Sequence, residues 1–265
     1  MLSRADALAL LRLHVEWGAD EAILPRPVNR LAPPPAPAGA PAAPPAPARA
    51  GGPRAVAAGP HPAEAAESLA ALAAAVEAYA GCALKETATR TVWAEGPERP
   101  GWLIIGDPPG DAEDREGRPF RGPGGAVLER ALAGLGLARA AVLLAPLIPW
   151  RPPGGRPPSD AELAQCLPFL RRLIALAAPR GVLLCGALPA RWLLPGGSLA
   201  TLRRVRGKWQ DLPVPGVEQP FRALATHSPA LLRGAAERRE FWADLRLMRR
   251  TIHPASENIQ VKLSP

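Results

Sequence analysis

Three residues of this sequence combine the right types for chemistry with positions just beyond apolar runs. Asp107 and Phe120 lie in the loop "GDPPGDAEDREGRPF", and His227 opens "HSPALLRG". A carboxylate, an aromatic ring and an imidazole that converge suit hydrolysis of a nucleoside bond. The ring stacks on a base taken out of its helix, and the imidazole steadies charge on the departing base. The carboxylate positions water and offsets the developing sugar cation. Each residue also has a plainer reading. Asp107 would cap the Pro-Pro-Gly turn, Phe120 would plug the core under its loop, and His227 would be a satisfied strand-end histidine. Glu113 and Asp114, further along the first loop, read as a solvated face.

For these residues to meet, the elements before them must be parallel strands. Short leucine-rich and β-branched runs occur at 101–106, 141–147, 181–186 and 221–226. Helical patterns at 123–137, 160–178, 187–194 and 234–250 separate and follow them. Strand then helix, repeated, predicts a three-layer α/β/α sandwich around a four-stranded parallel sheet. Ligands of such sheets sit at the carboxyl ends of the strands, which is where the polar loops fall. Around this domain, assigned to 63–251, the sequence predicts an amphipathic N-terminal helix within 1–30, with Leu8, Leu11 and Val15 on one face. A Pro/Ala-rich disordered linker over 31–62 joins them, and 252–265 form a tail. The domain itself begins with an alanine-rich helix near 63–80.

Composition narrows the classes. The 265 residues are 48% hydrophobic with a formal net charge of +8. Lys85, Lys208 and Lys262 are the only lysines, so arginine carries the positive charge. A GC-rich genome could give that bias by itself. The functional reading is a face for phosphates, with "RRVRGKW" at 203–209 as the strip and Arg206 and Lys208 as contacts. Three scattered cysteines do not make a disulfide framework and point to a reducing cytoplasm. No apolar run nears the ~18 residues of a membrane span. "GDPPGD" lacks both the GK(S/T) ending of a phosphate-binding P-loop and the GxGxxG spacing of a dinucleotide fold. A small-molecule hydrolase has no positive support.

The motifs, taken in order between residues 82 and 250, resemble those of the family 4 uracil-DNA glycosylases, the iron–sulfur type of bacteria and archaea. "GDPPG", "GRPFRGPGG", "APLIPWRPPGGRPP" and "HSPALLR" stand where that family has GE(A/G)PG, G-x-PFVG, an Asn-bearing strand running into C-R-P-P-x-N-R, and HPAYLLR. The resemblance implies a parallel α/β/α fold and removal of uracil or another deaminated base from DNA. It implies Asp107 and His227 as catalytic residues, and Gly106, Phe120 and the position of Pro146 around the base. Leu231, Leu232 and Arg233 match the segment that presses into the duplex.

The departures from the family are specific. Its four cluster cysteines fall on Tyr79, Cys82, Trp150 and Cys166, so only two remain, and Cys185 reads as a small core residue. The expectation is no cofactor, with Cys82 and Cys166 as remnants of the cluster site. The base-reading Asn falls on Pro146, which offers neither a polar side chain nor an N–H. The family's Glu is Asp107 here, and the proline after His227 is displaced to Pro229. Two readings stay open: a working glycosylase, favoured by Asp107, Phe120 and His227, and a non-enzymatic descendant that binds DNA or a protein, favoured by Pro146. Expected partners are damaged or single-stranded DNA and a protein for the N-terminal helix. No membrane and a monomeric chain complete the expectation.

Overall fold

The computed structural model of the chain describes residues 61–196 and 202–252. The N-terminal helix, almost all of the Pro/Ala tract and nearly all of the tail lie outside them. Helix α1 (Leu69–Ala78) and the single turn α2 (Leu84–Thr87) precede strand β1 (Trp102–Gly106). Then follow α3 (Asp111–Glu116), α4 (Pro123–Gly134), β2 (Leu143–Pro146), α5 (Asp160–Ala177), β3 (Gly181–Cys185) and α6 (Ala187–Leu193). The short α7 (Leu202–Val205), β4 (Trp209–Leu212), β5 (Phe221–Thr226) and the long α8 (Ala235–Ile252) complete the order.

The sheet order is β2-β1-β3-β5-β4, with the first four parallel and β4 antiparallel to β5. The α/β/α class is as expected, but the sheet has five strands rather than four. Sequence reading missed β4, part of which it took as a basic strip. "WQDL" has no apolar alternation of its own, and its strand character comes from pairing with β5 at the sheet edge.

Both sheet faces are covered, so strand residues alternate between two cores. Leu103, Ile105, Leu143, Ala145, Val182 and Leu184 face α1 and α5 through Leu72, Val76, Leu167, Phe169 and Leu173. Ile104, Leu144, Leu183 and Leu224 face α4 and α8 through Leu128, Leu132, Phe241 and Leu245. Helix α5 is started by a capping box: Glu162 N–H donates to the Ser159 hydroxyl at 3.3 Å, and Ser159 N–H donates to Glu162 Oε2 at 2.7 Å. Among the described residues no helix is long and apolar enough to cross a membrane.

Candidate active site

From β1 the chain crosses to β2 on one side and its other neighbour is β3, so the strand order switches direction at β1. A parallel sheet leaves a crevice at that point. A cavity of about 420 Å³ opens there, within the ~300–1,000 Å³ usual for small-ligand pockets. Each parallel strand delivers a residue to it: Gly106 and Asp107 from β1, Pro146 from β2, Cys185 from β3, and Ser228 just past β5. Phe120 and the start of α4 form another wall.

The loop between β1 and α4 is held by its own acids. Glu113 Oε1 accepts from the N–H groups of Arg121 (3.1 Å) and Gly122 (3.0 Å), and its Oε2 accepts from Gly110 N–H at 3.2 Å. Asp114 is buried and accepts from Thr89 N–H and hydroxyl, both at 2.9 Å, and from Arg90 N–H at 3.4 Å. The solvated face expected for these two is therefore corrected. Both accept from backbone N–H groups of the loop and its neighbours, which fixes the loop's path. Arg151 Nη1, 3.2 Å from Asp111 Oδ1, ties the loop after β2 to α3.

Phe120 has φ of 52°, a left-handed conformation unusual for an aromatic residue. Arg139 braces it by donating to the carbonyls of Phe120 (3.2 Å) and Pro119 (2.7 Å), and it pairs with Glu95 at 3.2 Å. Backbone held away from its usual region costs about 1–3 kcal/mol and concentrates at ligand sites. The ring lies across Gly106 and packs partly on the second core.

Asp107 leaves β1 toward the start of α6. A Cβ at Gly186 would come within 2.5 Å of Asp107 Oδ1, so the glycine, at φ of 122°, makes room for the carboxylate. Burial pushes the Asp107 pKa up, and a hydrogen bond from the Ser228 hydroxyl opposes that shift. Asp107, Phe120, Gly106 and Pro146 are thus brought to one cavity.

His227 is not among the residues lining it. Its Nε2 lies 2.7 Å from Glu240 Oε2 on α8. Thr226 also turns to that helix, its hydroxyl 2.9 Å from Asp244 Oδ2. The next residue, Ser228, buried to 6% exposure, turns into the cavity instead. Sequence reading missed Ser228; the displaced Pro229 was the available signal, since one residue of slip changes which side chain points inward.

The positions expected to contact the duplex divide. Leu231 is 57% exposed and Arg233 is exposed, while Leu232 is partly buried against the second core. Arg203, Arg204 and Lys208 are exposed. Arg206 is corrected as a phosphate contact: its guanidinium sits 3.2 Å from Asp244 and 3.5 Å from Glu240, mostly out of solvent.

Away from the cavity, Cys82 and Cys166 are buried with their sulfurs 3.8 Å apart. The Tyr79 ring is stacked on Trp150 at 6.3 Å and meets Phe169 edge-on at 5.1 Å.

Comparison with known proteins agrees with the motifs. Residues 93–246 match the family described as Uracil DNA glycosylase superfamily. The chain is 36% identical over 166 residues to the Type-4 uracil-DNA glycosylase of Pyrobaculum aerophilum, covering 62% of this chain and 84% of that one. It is 32% identical over 130 residues to the namesake from Sulfurisphaera tokodaii, covering 48% of this chain and 59% of the relative. With that of Archaeoglobus fulgidus the identity is 30% over 151 residues, covering 56% and 75%.

These matches correct the expectation of no cofactor. Type-4 enzymes are the iron–sulfur family, so loss of the cluster is not supported. The described residues supply two thiols, Cys82 and Cys166, near Tyr79, whose ring stacks on Trp150. Among those residues no group of three or more His, Cys, Asp or Glu converges. The described donors fit half of a four-thiolate set rather than the whole.

Proposed function

The chain belongs to the uracil-DNA glycosylase superfamily, and on that premise we propose that it hydrolyses the N-glycosidic bond of uracil or another deaminated base in DNA, as a base-excision repair enzyme. The observation that carries this reading is the meeting of Asp107 and Phe120 in one cavity at the strand ends. An extruded nucleotide enters the cavity and its base stacks on Phe120. The bond from the base to the sugar breaks, the base leaves with the electron pair, and the Asp107 carboxylate offsets the sugar cation. Asp107 also holds the water whose oxygen bonds to the sugar carbon; its carboxylate takes the proton the water loses, and that proton passes on to the base that left as an anion.

Pro146 leaves the edge of the base without a side-chain reader on β2. Losing a bidentate reader costs roughly 1–3 kcal/mol of discrimination, so activity is slow and less selective for uracil. It is best on single strands or mismatches, where extrusion costs least. Exposed Leu231 presses into the duplex, and Arg233, Arg203, Arg204 and Lys208 meet phosphates. The working unit is a monomer in a reducing cytoplasm, in keeping with three unpaired buried cysteines.

The test is an abasic-site assay on oligonucleotides carrying one uracil, hypoxanthine or xanthine. Strand breakage after alkali is expected with at least one of them. No abasic sites on any, at high enzyme excess, would overturn the reading.

A further inference from the structure

Three consecutive polar residues, Thr226, His227 and Ser228, run from the last residue of β5 into the turn beyond it, and they face different places. Thr226 and His227 are bonded to Asp244 and Glu240 of α8. Ser228 alone of the three lines the cavity, in the same lining as Asp107, and its hydroxyl opposes the upward push of burial on the Asp107 carboxyl. It is held there by the turn Pro229–Leu231, which it opens, with Leu231 N–H donating to the Ser228 carbonyl at 3.0 Å. Pro229 has a fixed φ and no N–H, so it pins the chain directly after Ser228.

We propose that Ser228, not His227, is the polar group that β5 contributes to the reaction, and that it acts as a positioning residue for the Asp107 carboxylate. This rests on the glycosylase reading above. Asp107 abuts Gly186, where a Cβ would come within 2.5 Å of its Oδ1, and it shares the cavity lining with Cys185 and Phe120. One hydroxyl donor beside the carboxylate fixes which oxygen faces the ligand, and it stabilises the carboxylate in its charged form. Among the described residues, the other titratable or charged groups facing this cavity are Asp111, Glu113 and Arg115, from α3, and the Cys185 thiol. Asp111 is paired with Arg115 at 2.8 Å, and Glu113 is spent on backbone N–H groups. Burial and the Asp107 charge push the Cys185 thiol up, so it stays neutral. His227 is directed to Glu240. Ser228 is therefore the donor placed to set the ionisation of Asp107.

The sign follows. Removing a hydrogen bond to the charged form raises the pKa of a carboxyl. If hydrolysis needs ionised Asp107, the acid limb of the rate profile moves to higher pH.

The experiment compares the full-length protein with Ser228→Ala and Ser228→Thr. Two readouts are taken: the pH profile of uracil excision from a single-stranded oligonucleotide, and the titration of the Asp107 side-chain carboxyl by carbon-13 NMR. We expect Ser228→Ala to move both midpoints upward together by about half a pH unit or more and to lower the plateau rate, with Thr restoring both. A slower Ser228→Ala enzyme with unmoved midpoints would overturn the proposal. So would a His227→Ala variant that moved them as far. If no variant and no wild type excises any base, the glycosylase reading fails, and the NMR midpoint still decides the pairing. A shifted Asp107 titration supports it and an unshifted one overturns it.

Discussion

The ring of Phe120 occupies the space that a side chain at Gly106 would take: a Cβ there would sit 2.6 Å from the Phe120 Cζ. The stacking wall and the strand that carries Asp107 are therefore fitted to one another, and Gly106→Ala becomes a probe of the site. The added methyl must displace the ring. We expect base capture to weaken severalfold and stability to fall by about 1–3 kcal/mol, the usual cost of overpacking. Excision kinetics and a denaturant titration check this, and a rise in KM with little change in kcat is the expected pattern. Phe120→Ala should share the rise in KM without the overpacking cost.

Asp107→Asn keeps the shape and removes the charge. Excision should fall by about 10²-fold or more, the scale for losing one such group. Because His227 is bonded to Glu240 outside the cavity lining, His227→Ala should cost less than Asp107→Asn. Single-turnover rates on one oligonucleotide compare them directly. Equal, large losses would bring His227 back into the reaction.

Neutralising Arg203 and Arg204 should flatten the salt dependence of DNA affinity by roughly one to two units of log–log slope, about one for each phosphate that an arginine no longer neutralises. Arg206→Ala should leave that slope alone and lower stability instead, because Asp244, 1% exposed, would be left without its ion pair. Binding measured across a salt series separates the two effects.

The brace on Phe120 is acid-sensitive. Hydrogen bonds from Arg118 and Arg139, opposed by burial, hold the Glu95 pKa at about 2 against an ordinary 4.5. A carboxyl depressed on folding contributes stability that is fully present above the ordinary value and is lost as pH falls through the folded one. Thermal stability should therefore decline between about pH 4.5 and 2 in part through this group. Glu95→Gln should flatten that portion of the curve, and melting temperatures across the window test it.

Asp114→Ala should be among the most destabilising changes in the loop. It removes the buried carboxylate that accepts from the Thr89 N–H and hydroxyl and from the Arg90 N–H, at about 1–3 kcal/mol for the lost bonds together. Urea unfolding of the variant measures it.

Much of this was legible in the sequence, because the signals were local. Apolar runs such as "WLIIG" and "GVLLCG" and the helical periods between them are properties of neighbouring residues, and they give the α/β order directly. The Gly- and Pro-rich stretch after β1 marked the site loop for the same reason, as did the strand-end placement of Asp107 and the position of Phe120 within that loop. What the tertiary structure alone decided is which partner each polar side chain meets. Asp114 and Glu113 look like any exposed acids until the folded loop brings backbone N–H groups to them. Arg206 looks like a phosphate contact until α8 places Asp244 and Glu240 against it. β4 exists because β5 leaves an edge to pair with. His227 and Ser228 are adjacent, and composition cannot say which one faces the cavity. The choice is made by the turn at Pro229 and the carboxylates of α8, which lie beyond the reach of any local pattern around the residues they orient.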